Sequence, residues 1–448
     1  MVRGHKRGLD RGLDRSQLHG RRVPTLAFMA WRNLWRNPSR SALTVAALPG
    51  SLVLLILYLA LVSGMTRQMV EHATDLSIGH LQVQRQAFIA DQDLYATLPS
   101  AWLPQLQQAL PKARITPRLY ASGLASAAQA SNGVMIKAID PSSERQVTRV
   151  LDSVREGDAQ LDAPQVGSDG LTRHQVLIGA QLAKNMKLSP GDELVLVTQA
   201  ADASIGNALF RVSGVLKPID PGFDRSGVMM SIVAYRSLMV MDDGFHELAI
   251  HLDDAALLSE TQARLQRAVA ELTAEKALDE LGGEAVVRNW RQVVPAVADM
   301  LKVYGGVTWI MGAIIVALAA LGMVNTMLMA IHERTHEFGI LRAIGMHKGW
   351  LLLMVMLESF GLALLSAVIG AAIGVALVLG PLRRGIDMSA SLPDGFDMVG
   401  VNIEPVLHMA LAPQQVAYAS LMVVALAMIA ALLPSWRVMR LKPAEAMR

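Results

Sequence analysis

Residues Glu333–Glu358 read ERTHEFGILRAIGMHKGWLLLMVMLE, a charged, helix-patterned island that runs into a long apolar block. It lies between two apolar stretches, Val303–Ile331 and Trp350–Leu379. Each exceeds the roughly 20 residues that cross about 30 Å of hydrocarbon. A plain turn between two spans needs only a few residues. This segment is long enough for a helix lying at the cytoplasmic surface, within reach of a soluble partner. It predicts a transporter-like membrane protein and not an enzyme with its own active site.

The composition agrees. Of 448 residues, 52% are hydrophobic and only 18% charged, with a mean hydropathy of +0.35. That is too apolar for an ordinary soluble chain of this length. Two further apolar blocks, Ala42–Gly64 and Gln415–Leu433, complete a set of four. The blocks Val303–Ile331 and Trp350–Leu379 are longer than a span requires, so they are expected to tilt or to continue past the bilayer as helices. There is no cysteine, which excludes disulfides and thiolate metal sites. The net charge of +3 is carried mostly beside the spans, so membrane topology accounts for it and nucleic-acid binding is not expected.

Charge then sets the orientation. Residues 1–40 carry Arg3, Lys6, Arg7, Arg11, Arg15, Arg21, Arg22, Arg32, Arg36 and Arg40 against Asp10 and Asp14. Basic residues flanking the first span place the N-terminus in the cytoplasm. Four spans put Arg334, Arg342 and Lys348, and the terminal Arg437, Arg440, Lys442 and Arg448, on that same side. The segment between the last two spans carries Asp387, Asp394, Asp397 and Glu404 against Arg383 and Arg384, as expected outside. About 40 residues precede the first apolar run and no small-x-small cleavage site follows it, so an uncleaved signal anchor is expected.

Residues 65–302 are polar and punctuated by Gly, Pro, Asp and Asn, and they predict a large external α+β domain. His80–Arg85 alternates as a half-buried strand. Strands are also expected at Val134–Ile139, Gln175–Gly179, Glu193–Thr198, Leu209–Leu216 and Glu247–Leu252, and a last one at Val286–Trp290. AQLAKNMKL (180–188) predicts a short amphipathic helix, and Asp254–Leu281 one long helix. His72, His80, His174, His246 and His251 show no metal-ligand spacing, so they are expected to be surface or core residues. Asp242, Asp243, Asp253 and Asp254 read as turn or cap residues. No metalloprotease or nucleophile-elbow motif occurs, and no P-loop, so no bound cofactor or catalytic residue is expected.

Three segments resemble the FtsX-like or MacB-type permeases of ABC transporters, a family that includes the lipoprotein-releasing permeases. Ala30–Thr44 (AWRNLWRNPSRSALT) looks like the amphipathic entry helix, ERTHEFGILRAIGMHKG followed by Glu358 and Ser359 looks like the coupling segment, and Pro434–Arg448 (PSWRVMRLKPAEAMR) looks like the terminal signature. IKAIDPSSE, VLIGAQLAKNMKLSPGDELVLV and FRVSGVL extend the likeness through the external domain, from about residue 25 onward. The resemblance implies a multi-pass protein of the bacterial inner membrane, with four spanning helices and a periplasmic α+β domain inserted between the first two. The expected parts are a basic cytoplasmic tail at 1–24, an entry helix and first span at 25–64, and the periplasmic domain with its stalk at 65–302. The second span follows at 303–331, a cytoplasmic coupling helix at 332–349 and the third span at 350–380. A periplasmic loop at 381–413, the fourth span at 414–434 and a cytoplasmic tail at 435–448 complete the chain.

The resemblance further implies a permease that binds a cytoplasmic ATPase subunit and a second permease subunit, same or different. ATP acts through that partner, and the permease transmits the motion to the periplasm, a mechanism called mechanotransmission. The cargo class implied first is lipoprotein or other lipidated cargo. Efflux with an adaptor and an outer-membrane channel is the second reading, and regulation of a cell-wall hydrolase the third. A periplasmic chaperone or adaptor is an expected partner. The matching loop Gln199–Ala208 is short and free of proline, however, whereas chaperone-recruiting members carry a long proline-bearing hairpin.

The coupling residues the resemblance marks are Glu333, Arg334, Glu337, Phe338, Gly339, Leu341, Arg342 and Gly345. Glu333 and Glu337 share a helix face at i,i+4 spacing, and Phe338, Ile340, Leu341 and Ile344 are expected to give the partner its apolar contact. Gly339 and Gly345 are expected to permit close approach or a turn. Glu358 is an ionisable residue in an apolar block, expected to lie at the membrane boundary, hydrogen-bonded to a neighbouring helix.

Overall fold

A computed structural model describes residues 38–128, 130–161, 165–166, 172–275, 282–391, 396–398, 401–403 and 405–439. The basic tail 1–24, the entry helix as far as residue 37, and the end of the terminal signature, 440–448, lie outside the described residues. The chain forms two compact units. One comprises Met1–Met65, Tyr304–Ile386 and His408–Arg448, the other Thr66–Val303 and Asp387–Leu407.

The first unit is helical. Leu48–Ile78, Pro295–Glu333, Lys348–Arg384 and Pro413–Trp436 are long and apolar enough to cross a membrane. The first spanning helix runs over Pro38–Glu71, and Pro49 sits inside it without ending it. Ser51 Oγ donates to the Leu48 carbonyl at 2.8 Å there. Lipid offers no hydrophobic drive between such helices, so close packing of small residues has to bring them together. A Cβ on Gly370 of the third helix (Lys348–Leu379) would stand 3.0 Å from Leu52 Cβ and Pro49 Cα, and one on Gly374 3.0 Å from Ile56 Cδ1. Leu52, Ile56, Met323, Met327, Met354, Val355, Ala363 and Ala427 fill the interior from all four helices. Ser359 Oγ, fully buried, is satisfied by its own helix through the Val355 carbonyl at 2.8 Å.

The second unit is built on one sheet of eleven strands in the order β11-β1-β10-β2-β3-β9-β6-β8-β4, with β5 on β6 and β7 bridging β2 and β8. The strands are β1 Leu81–Arg85, β2 Ala113–Ala127, β3 Ala130–Ile139, β4 Val154–Gly157, β5 Gln165–Val166, β6 Thr172–Ile178, β7 Glu193–Gln199, β8 Ile205–Leu216, β9 Gly227–Ser231, β10 Glu247–Leu252 and β11 Ala285–Asn289. Most neighbours are antiparallel, but β3–β9 and β6–β8 are parallel. Leu119, Ile136, Val176, Phe210, Met230 and Tyr235 form one core cluster, and Ile139, Leu151, Leu177 and Phe223 another.

Several expectations change. β1 is buried at all five positions and not on alternate residues, so both its faces are covered; it lies inside the sheet between β10 and β11. The last strand stops at Asn289, which caps a helical turn beginning at Trp290 through a capping box with Gln292. The long helix is Leu258–Glu275, preceded by a 3-10 turn that Asp254 caps, and residues 276–281 lie outside the described set. The β7–β8 hairpin closes at Gln199↔Ile205, a tighter turn than the loop expected at Gln199–Ala208. Asp387–Leu407, within a loop long enough to pack on the external domain, belongs with the sheet unit, and Gln68 Nε2 donates to the Val406 carbonyl at 2.9 Å.

Candidate functional site

The second spanning helix ends at Glu333, and a separate helix, Thr335–Ala343, follows after a break at Arg334 (φ −101°, ψ 11°). The charged island expected as one helix over 332–349 is therefore shorter and bounded on both sides. The local sequence explains both ends. Thr335 Oγ1 donates back to the carbonyls of Ile331 (3.0 Å) and His332 (2.8 Å), competing with the backbone ladder where the helix breaks. At the other end Gly345 has φ +101°, a left-handed conformation that favours glycine. Met346 N donates to Leu341 O at 3.0 Å across that turn. His347 then caps the third spanning helix, its Nδ1 accepting from Gly349 N at 3.1 Å.

Arg334 uses the break to face two ways. Its Nη1 donates to Glu358 Oε1 (3.1 Å) and Oε2 (3.0 Å), and its Nε donates to Glu337 Oε2 at 3.1 Å. The guanidinium lies 5.6 Å from the Phe338 ring centroid. Arg334 and Glu358 are largely withdrawn from the surface, with side chains 19% and 16% exposed, so this pair is less screened than a surface pair. Arg334 thereby fastens the short helix to the third spanning helix.

This separates the sequence-derived residues into groups. Arg334, Glu337, Phe338 and Glu358 come together. Phe338 and Gly339 are buried, Phe338 only 2% exposed. This corrects the expectation that Phe338 offers itself to a partner: its ring packs into the bundle interior beneath Arg334. Leu341 packs partly against the same interior. The apolar side chains that do face outward are Ile340 and Ile344, 41% and 80% exposed. Glu333 is exposed at the end of the preceding helix, Arg342 is half-buried, and Gly345 forms the turn.

Sequence reasoning missed two clusters in the sheet unit. Arg118 on β2 donates to Glu144 through Nη2 (2.6 Å) and Nε (3.1 Å), and to Glu247 through Nη1 (2.8 Å). Tyr120 and Gln84 also donate to Glu247, and Thr148 to Glu144. Burial opposes the Arg118 charge, and the two carboxylates overcome it, so its pKa is raised. Burial likewise works against the Glu144 carboxylate, but Arg118 beside it holds its pKa below the usual range. The second cluster is Asp75, His80 and His251. Both clusters draw on strands and loops distant in the chain, so no motif spacing announces them; an arginine amid the apolar residues of ITPRLYASG was the one available signal.

Comparison with known proteins matches both units. The model of the FtsX-like permease C-terminal domain covers residues 309–443, and that of the MacB-like periplasmic core domain residues 41–268. The lipoprotein-releasing system transmembrane protein LolC of Xylella fastidiosa strain Temecula1 is 23% identical over 334 residues, covering 70% of this chain and 72% of that protein. LolC of Neisseria meningitidis serogroup B strain MC58 is 24% identical over 344 residues, 73% of this chain and 77% of that one. The macrolide export ATP-binding/permease protein MacB of Brucella abortus strain 2308 is 26% identical over 175 residues, 38% of this chain and 25% of that one. With both domains matched in order, the chain belongs to the FtsX-like ABC-transporter permeases that carry a MacB-like periplasmic core domain.

Proposed function

We propose that this permease couples ATP hydrolysis on a separate cytoplasmic ATPase subunit to a conformational change of its periplasmic domain, and that the change releases lipoprotein or other lipidated cargo from the inner membrane. The Arg334 fork carries the reading. It ties a short helix with outward Ile340 and Ile344 to the third spanning helix at Glu358. In this reading both termini and the short helix are cytoplasmic, and a second permease subunit, identical or different, completes the membrane part. The ATPase docks around Glu337, Ile340 and Ile344 on the short helix, with Glu333, from the end of the preceding helix, and Arg342 at the margins. Phe338, Gly339, Leu341 and Gly345 hold that face in shape, and Arg334 passes its displacement into the bundle. The first and second spanning helices, which continue into residues of the sheet unit, carry the motion outward.

Lipidated cargo comes first because the LolC proteins are similar over 70% and 73% of the chain and MacB over 38%. Efflux with an adaptor and an outer-membrane channel is the second reading, favoured by the MacB-like core domain itself. The full-length chain purified from its own membranes with its ATPase subunit tests both. Co-purifying acylated protein supports the first reading; a soluble adaptor without acylated cargo supports the second. Glu337→Lys and Ile344→Asp are each expected to abolish ATPase association while the chain still enters the membrane. Association unchanged in both variants would exclude this docking face.

A further inference from the structure

His80 immediately precedes β1, and His251 lies on β10. The β1–β10 ladder pairs Leu81 with Ile250 in antiparallel register, which sets His80 opposite His251. Their rings meet edge to face with centroids 4.8 Å apart. The backbone of His80 is fixed from both sides: its N–H donates to Ile250 O at 2.8 Å, and its carbonyl accepts from Trp290 N at 3.0 Å. Asp75 reaches the pair from the π-helical turn His72–Ile78 that continues the first spanning helix. Its backbone is held by Arg149 N at 2.6 Å, and Thr74 Oγ1 lies 3.2 Å from its Oδ1. The ligand atoms of Asp75, His80 and His251 all fall within 4.8 Å of one another. One of them is unsatisfied: His251 Nδ1 is buried without a hydrogen-bond partner, 3.8 Å from Asp75 Oδ1.

We infer that Asp75, His80 and His251 form a binding site for one divalent transition-metal ion of the zinc class. Two imidazoles and one carboxylate suit such an ion, and a fourth position is left for water. Separations of up to 4.8 Å need small side-chain rotations to close around a metal. Ligation through His80 exchanges one long hydrogen bond, from Leu252 N to His80 Nδ1 at 3.3 Å, for a metal bond. Metal binding requires neutral imidazoles. Burial lowers both pKa values; Asp75 opposes the shift at His80, and His80 adds to it at His251. Two cations, Arg114 and Arg149, act on His251; Arg114, which faces His251 across β10 and β2, is met by Asp253. A bound ion would tie the π-helical turn to the central strands in a domain whose sequence has no cysteine for a disulfide staple.

The test uses the full-length chain in detergent, purified without a polyhistidine tag and stripped with a chelator. Zn2+ titrated by calorimetry is expected to bind with one ion per chain, and Co2+ to give the visible absorption bands of a four-coordinate nitrogen–oxygen site. His251→Gln and Asp75→Asn are each expected to weaken Zn2+ binding by about tenfold or more, with unchanged tryptophan fluorescence and elution volume. Should a variant fail to fold, the Co2+ spectrum of the unaltered chain decides alone. Absence of saturable binding at micromolar Zn2+, a six-coordinate Co2+ spectrum, or unaltered affinity in folded His251→Gln would overturn the site and leave a plain Asp–His polar contact.

Discussion

Arg118 carries its charge into a place with no exposed side-chain surface, and Glu144 and Glu247 meet it there. Removing one member strands the others without solvent. Arg118→Met is expected to destabilise the sheet unit by about 3–5 kcal/mol, read as a lower urea midpoint for the fluorescence of the buried Trp102 and Trp290. His246 supplies a pH dependence. Its Nδ1 accepts from Tyr120 N at 2.9 Å, its Nε2 lies 2.8 Å from Leu94 O, and its ring stacks on Phe88 at 4.9 Å. Burial holds its pKa down at about 4, against 6.5 for a free imidazole. The folded state therefore keeps this ring neutral where the unfolded chain takes up a proton. Stability is full above pH 6.5 and falls as the pH drops toward 4, by up to roughly 3 kcal/mol from this group. His246→Gln is expected to flatten that slope between those limits, measured as urea midpoints of the full chain; an unaltered slope would remove His246 as its source.

Among the elements, the glycine contact between the first and third spanning helices is tightly constrained. Gly370→Val places methyl groups against Leu52 and Pro49, where even a Cβ stands at 3.0 Å. The expected cost is about 1–3 kcal/mol, seen as a lower thermal midpoint in detergent. Gly305→Ala is the control, since nothing lies within 4 Å of its added Cβ, and it is expected to leave the midpoint in place. Much of this level was legible in the sequence. The apolar blocks announced the spanning helices, and short strand-like runs announced β7 and β10, because those signals are carried by the residues of one element. β2 was not legible: Pro117, Ser122, Gly123 and Ser126 interrupt its pattern, and it persists because β3, β7 and β10 pair with it. The candidate site was legible in part. The residues of the charged island could be listed from their pattern, but the inward turn of Phe338 and the choice of Glu358 as partner for Arg334 depend on how two helices pack. No single helix contains that information.

In the whole molecule, force would pass from the short helix Thr335–Ala343 into the bundle. If Ile340 and Ile344 receive the ATPase and Arg334 transmits its motion, docking and coupling are separable. Losing Ile344 should cost association; losing the Arg334–Glu358 link should spare association and cost the response. The most direct measurement is cargo-stimulated ATP hydrolysis by the reconstituted permease and its ATPase subunit, comparing Arg334→Glu, Glu358→Arg and the double exchange. Each single exchange is expected to leave the ATPase bound and reduce stimulation about tenfold or more, and the double exchange to restore a substantial part of it. Full stimulation in both single variants, or a double exchange no better than either although properly inserted, would contradict the account.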